Sequence, residues 1–264
     1  MNDAPDDRRS LAELRRWLKR EKWLHARTDD EHLLPFLQIC KYDLKKSKQK
    51  ITNFYQMRRD RIEWFGNRDP SLPEVQELSK LGVFLPLKKL HENRLVLVIR
   101  TAVHDPKKHL IDNVFKTGMM IIDLACKHHQ VVEIAVIFDM KNIGFSYFRP
   151  FTPWYAARLV FALENYCVRP KRLEFVNAPG YFNVFLRLFT RLMSEKMRNR
   201  VTVHYGGAEV LAKVIPKEML PPEYGGDGDS VEDLVDYWHE KMSHSRRWFE
   251  EDERFKAERR DSRK

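Results

Sequence analysis

Apolar residues recur every three to four positions through the first part of the chain and then condense into short continuous runs, and this change of period divides the sequence. Leu14, Trp17 and Leu18 fall on one face of a predicted helix, whose start Ser10 and Glu13 would mark as a capping box. Asp29 or Asp30 can cap a short second helix carrying Leu33, Leu34, Phe36 and Leu37. Asp43 can cap a third, in which Leu44, Ser47, Ile51, Phe54, Tyr55 and Arg58 keep the same spacing. Residues 1–80 therefore read as a helical module. Pro70, Pro73 and Pro86 punctuate the stretch after Trp64, and beyond them Leu95-Val96-Leu97-Val98-Ile99 is an apolar run of strand length.

Strand and helix patterns then alternate: helix over 109–128, strand 131–138, helix 153–166, strand 173–177, helix 182–200, strand 201–205 and helix 208–214. Such alternation predicts an α/β domain over 81–226, a mainly parallel sheet flanked by helices. Leu220-Pro221-Pro222-Glu223-Tyr224-Gly225-Gly226 closes it. In the remaining 227–264, Ser230 can cap a charged helix containing Trp238, followed by a solvated tail.

Composition agrees with a folded chain: of 264 residues, 43% are hydrophobic and 33% charged. The acidic opening from Met1 to Asp7 lacks the apolar core of a secretory signal, and no apolar run reaches the roughly 18 residues of a membrane span. A cytoplasmic protein is expected. Cys40, Cys126 and Cys167 have neither metal-like nor redox-like spacing and read as reduced packing residues. The net charge of +10 admits nucleic acid or an anionic membrane as partner. Its distribution is uneven, with eight basic residues against two acids between Val168 and Arg200, in a segment that also holds many aromatics and leucines.

Catalytic patterns are missing. There is no Gly-rich phosphate loop, G-x-S-x-G elbow or H-E-x-x-H, and Gly206-Gly207 lacks the spacing of a phosphate cradle. Cys126 with His128-His129 has no matching second ligand pair, and Asp227-Gly228-Asp229 lacks the glutamate that would complete a calcium loop. No enzyme activity, cofactor or metal is expected. More informative is the segment from Phe182, where Phe182, Phe185, Leu186, Phe189, Leu192 and Met193 share one helical face and Asn183, Arg187, Thr190, Arg191 and Ser194 the other. This suits a core helix, a lid over an apolar ligand, or a helix dipping into lipid headgroups.

Four landmarks carry a resemblance to a known family. They are Phe36-Leu37 with Lys41-Tyr42-Asp43-Leu44-Lys45-Lys46-Ser47, Ile137-Phe138-Asp139-Met140, Asn177-Ala178-Pro179, and the Leu220 to Gly226 segment. Their order and spacing over about residues 30–245 resemble the CRAL-TRIO lipid-binding proteins, most of all the branch that carries tocopherol and retinaldehyde and touches phosphoinositide membranes. The resemblance implies a CRAL-TRIO fold enclosing an apolar pocket lined by Phe138, Ile143, Phe145, Phe161, Leu173 and Phe175. It implies a gate helix presenting Phe182, Phe185, Leu186, Phe189 and Leu192, and a phosphoinositide site at Arg169, Lys196 and Arg200.

Two departures matter. A further family arginine falls on Cys40, with Lys41 the nearest cation. Phosphatidylinositol-transfer members place a proline and an acid after the tyrosine matching Tyr166, where this chain has Cys167-Val168. An inositol ring inside the cage would lack that acceptor, which favours a single-headed apolar ligand. The expected function is a carrier of one hydrophobic molecule of tocopherol, retinoid or other isoprenoid type, in transient contact with anionic membrane. The alternative is a phosphoinositide-binding signalling scaffold with no transported ligand. Nucleic acid is not expected, because the apolar face that would stack on bases is committed to the pocket.

Overall fold

The computed structural model describes residues 5–259. Five helices lead: α1 (Pro5–Arg20), α2 (Asp30–Ile39), α3 (Leu44–Asp60), α4 (Ile62–Phe65) and α5 (Pro73–Leu81). Asp29 accepts the His32 backbone N–H at 3.1 Å and Asp43 that of Lys46 at 3.0 Å, so both predicted caps form. The Ser10 cap does not. Helix α1 is already helical over the described residues before Ser10, which is therefore a buried interior residue beside Leu11 and Leu14.

Strands β1 (Phe84–His91) and β2 (Arg94–Arg100) form an antiparallel hairpin, turned at Glu92 and Asn93, both with positive φ. Helix α6 (Ile111–His129) leads to β3 (Glu133–Asp139), and α7 (Pro153–Asn165) to β4 (Arg169–Val176). After α8 (Phe182–Thr190) and α9 (Glu195–Arg198) comes β5 (Val201–Val203), followed by α10 (Ala208–Leu211). The sheet order is β1-β2-β3-β4-β5, parallel from β2 onward. This is the mainly parallel α/β architecture expected. Strand β1 was not anticipated because Pro86 reads as a breaker. At the sheet edge its missing N–H costs no ladder bond, and its carbonyl accepts the Trp238 indole N–H at 2.6 Å.

Alternation along the buried strands separates two cores. Leu97, Val136 and Leu173 face the first, together with most of the helices, whereas Val96, Val98, Ile137 and Val176 face the second, with Leu211, Leu220 and Leu234. Beyond the sheet the expected Ser230-capped helix forms, and the described residues after it, to 259, pack against the protein rather than run as a solvated tail. Helices α11 (Val231–His244), which starts in a Ser230/Asp233 capping box, and α12 (Arg246–Asp252) bury Trp238, Met242 and Phe249. Asp252 then receives Arg58 at 2.7 Å, Arg68 at 3.1 Å and Arg27 at 3.1 Å, and Arg68 also holds Asp123 at 2.5 Å. Removing one partner from such a buried cluster strands the others, so it fastens the C-terminal helices to the N-terminal module. The chain ends its described course along that module, with Ala257 bridged to Leu24 and the Glu258 N–H donated to the Trp23 carbonyl at 2.7 Å.

Candidate functional site

A cavity of about 270 Å³ lies between the first face of the sheet and α6, α7 and α8. Each wall follows from a period. The inward positions of β2, β3 and β4 supply Leu97, Ile99, Val136, Phe138, Leu173 and Phe175, and one stripe of α6 supplies Val114, Phe115, Gly118 and Met119. Gly118 permits a close approach: a Cβ there would stand 2.4 Å from the Phe84 ring, which lies across α6 at the cavity wall. Phe138 and Phe175 stack at 4.5 Å, and Phe175 meets Phe182 of α8 at 4.9 Å.

Helix α8 covers the cavity. Phe182, Phe185, Leu186 and Phe189 line it, while Asn183, Val184 and Arg187 face outward. Phe185 sits 4.1 Å from Phe148, and Phe189 5.7 Å from Phe151, so the α8 aromatics pack on aromatics of the segment before α7. The predicted helix over 182–200 is broken. Ser194 caps α9 by accepting the Met197 N–H at 3.3 Å, and the turn before it points Met193 into the cavity.

Of the expected lining residues, Phe138, Ile143, Leu173 and Phe175 are at the cavity, as are four of the five gate residues. Three residues are elsewhere. Phe145 is 71% exposed and stacks outside on Tyr181 at 4.4 Å, because the 3-10 turn Phe145–Phe148 sends Tyr147 and Phe148 inward instead. Phe161 is 41% exposed, since the inner face of α7 is taken by Leu159, Val160, Ala162 and Leu163. Leu192 is 42% exposed, beyond the end of α8 where the chain turns. Missing from the expectation were Phe84, Phe115, Phe148, Phe151 and Tyr166. The three-four pattern of 109–128 could have indicated Phe115.

Arg169, Lys196 and Arg200 do come together, with Lys41 and Lys171 close enough to depress the Lys196 ammonium, whose pKa falls through burial first and then through the Arg200, Arg169, Lys41 and Lys171 charges. They are not equivalent. The Arg169 guanidinium is engaged inward, by Glu133 and by the Ile39 carbonyl at 3.1 Å, so it frames the cluster rather than facing solvent. Lys171 also pairs with Glu133 at 3.1 Å. Arg200 donates to the Pro170 carbonyl at 2.5 Å, and Lys196 is exposed. Near Tyr166, burial pushes the Cys126 and Cys167 thiols up, keeping them protonated. His128 and His129 pack edge-to-face with each other, and His128 meets Trp238 in the same way. Asp29, Glu31 and His32 bring three ligand-type atoms within 4.8 Å of one another, but Asp29 is occupied as the α2 cap. Among the described residues no helix is long and apolar enough to cross a membrane.

The sequence and the fold have counterparts among known proteins. An "Alpha-tocopherol transfer protein-like" protein of Mus musculus is 26% identical over 238 residues, covering 88% of this chain and 69% of that protein. Its Homo sapiens namesake is 25% identical, covering 79% and 62%. Clavesin-2 of Homo sapiens is 24% identical, covering 76% of this chain and 62% of its own length. This chain therefore spans somewhat under two thirds of the latter two. The crystal structure of Sfh5 superposes with a TM-score of 0.61 at 12% identity, covering 89% of this chain and 92% of that one, and shares the fold. A family model described as a Pinta-like UBA domain matches residues 3–75, and the CRAL/TRIO domain model matches residues 80–226. With that second match taking in more than half of its length, the chain belongs to the CRAL/TRIO family.

Proposed function

We propose that this protein carries one apolar small molecule, of tocopherol, retinoid or other isoprenoid type, in the cavity beneath α8 and passes it to and from membranes without chemical change. The observation that carries this reading is a cavity walled almost wholly by apolar side chains and covered by one amphipathic helix. Pockets that enclose drug-sized ligands are built this way, with few polar groups to fix orientation. The names of the relatives, which include "transfer protein-like", support the same conclusion. Release requires α8 to leave its place, and an anionic membrane offers its phenylalanines a second apolar partner while Arg187 and Arg191, both exposed, meet the headgroups. A phosphoinositide headgroup is received at Lys196 and Arg200, with Lys41 in place of the arginine replaced by Cys40, and with Arg169 as frame. The protein works from the cytosol and touches the membrane transiently.

The test is transfer of a fluorescent tocopherol or retinoid analogue between two vesicle populations. Protein-dependent, saturable transfer is expected. Vesicle binding without transfer would replace the carrier by the phosphoinositide scaffold.

A further inference from the structure

Single exposed apolar side chains are ordinary on a protein surface, but on α7 they fall in register. Trp154, Ala157 and Phe161 lie at three-residue and seven-residue spacing along the outer face of the helix; all three are exposed, Trp154 by 65%. Helix α7 cannot turn that face inward. Its opposite side buries Tyr155, Ala156, Val160 and Ala162, and the Tyr155 hydroxyl donates to Asp112 at 2.7 Å. From α3, Lys50 donates to the Glu164 carbonyl at 2.6 Å and Asn53 to the Asn165 side chain at 2.8 Å, which holds the other end. The Trp154 ring is held too: the Arg158 guanidinium lies 4.3 Å from its centroid, and Arg158 is itself buried and paired with Glu63. The neighbouring segments add exposed cations, Arg149 before the helix and Arg187 and Arg191 at α8. The acids at this helix are engaged: Glu63 by Arg158, Asp112 by Tyr155 and Trp64, and Glu164 by the Ser194 backbone N–H at 2.8 Å.

Resting on the membrane contact proposed above, we propose that the outer face of α7 is a stationary membrane anchor, whose Trp154 and Phe161 enter the interface of an anionic bilayer and stay there whether α8 is closed or open. Two such aromatics can bury about 300–500 Å² together, well under the roughly 800 Å² per partner of a stable protein interface. A bilayer requires neither that area nor a matching shape. An indole with a polar edge, a phenyl ring and flanking cations suit the boundary between headgroups and acyl chains. The anchor separates docking from opening. Docking rests on α7, which is built into the core, and opening on α8, which alone has to move. The bilayer is therefore already alongside when the lid phenylalanines leave the cavity.

Vesicles of phosphatidylcholine and phosphatidylserine, free of any transported ligand, test this on the full chain. In one arm the phosphatidylcholine carries bromine on its acyl chains, which quenches tryptophan emission on contact. Trp154 is the one exposed tryptophan among the described residues, so wild-type emission should be quenched, and the quench should be lost in Trp154→Phe while binding is kept. In the other arm, Trp154→Ser with Phe161→Ser should weaken sedimentation with the vesicles by about tenfold or more, and the difference should persist at high salt, where contacts made by arginine fade. Wild type that sediments with its emission unquenched overturns the anchor and leaves the membrane contact of α8 standing, as does a serine pair that binds like wild type. A concentration-dependent dimer that the serine pair abolishes, with vesicle binding unchanged, assigns the stripe to a second copy and overturns the anchor as well. Wild type that does not bind the vesicles removes both the anchor and the membrane contact on which it rests. The quench decides the matter even where the serine pair fails to fold.

Discussion

Truncating Phe185 and Phe189 together to alanine should speed ligand release while leaving the chain folded. Both rings are half-buried and grip the cavity rim through Phe148 at 4.1 Å, Phe151 at 5.6 and 5.7 Å, and each other at 5.1 Å. Removing a fully buried phenylalanine costs about 3–5 kcal/mol, so a half-buried one should cost about 1.5–2.5 kcal/mol. Because the rings touch, the two losses overlap, and about 2–4 kcal/mol for the pair is the expected sum. At 1.4 kcal/mol per decade this shifts the opening equilibrium of the lid by about 30-fold to several-hundred-fold. Helix α8 itself should stay in place, held by Phe182 and Leu186, which remain buried against Met140 and Ala178. The assay is release of a preloaded fluorescent analogue into acceptor vesicles, followed by energy transfer, with near-ultraviolet dichroism and a thermal melt run in parallel. In the harsher pair, Phe185→Asp with Phe189→Asp, retention should be lost altogether, since two carboxylates would face an apolar wall. Release of the alanine pair at the wild-type rate would refute the reasoning; so would loss of cooperative melting, which would make α8 a core helix rather than a lid.

Asp252→Asn should destabilise the chain by about 3–5 kcal/mol at neutral pH, because Arg58 and Arg68 lose a buried counter-charge. Burial alone would raise the Asp252 carboxyl, but Arg58 and Arg68 hold it below its ordinary range. Its contribution is therefore complete above the unfolded value of about 3.9 and is lost as pH falls through the lower folded value. Urea midpoints at neutral pH and below pH 4 check this: the gap between wild type and variant should narrow in acid, and an equal gap at both would count against the ionic clamp. Lys196→Ala with Arg200→Ala should weaken sedimentation with phosphoinositide vesicles by about 1 kcal/mol per charge, an effect that fades as salt rises. Unchanged sedimentation at low salt would move the headgroup site elsewhere.

What the sequence revealed and what it concealed divide along the range of the interactions involved. Local chemistry was legible: Asp29 and Asp43 as caps, Ser230 opening α11, and the alternation from β2 to β5 all depend on neighbours a few residues apart. Phe182, Phe185, Leu186 and Phe189 were legible because 3.6-residue periodicity fixes which side of a helix they share. Where only the three-dimensional path of the chain decides orientation, the reading failed. Phe145 and Leu192 lie at turns that carry no period, and Phe161 is an aromatic on the outer side of a helix whose inner side was already filled. Pro86 reads as a breaker in the sequence because its tolerance depends on β1 being an edge strand, a property of the assembled sheet. The inward engagement of Arg169 depends on Glu133 and on the Ile39 carbonyl, both remote in sequence. Asp252 looked like one more charge in an acidic stretch, and its three arginine partners lie 184 to 225 residues upstream.

The most direct measurement is native mass spectrometry of the full chain, purified without detergent and then denatured. A carrier should show one adduct of a few hundred daltons per chain in the folded state, released on unfolding and recovered in the apolar extract. A bare protein mass, persisting after incubation with tocopherol-, retinol- and sterol-bearing vesicles, would contradict the claim that the cavity under α8 exists to hold a lipid.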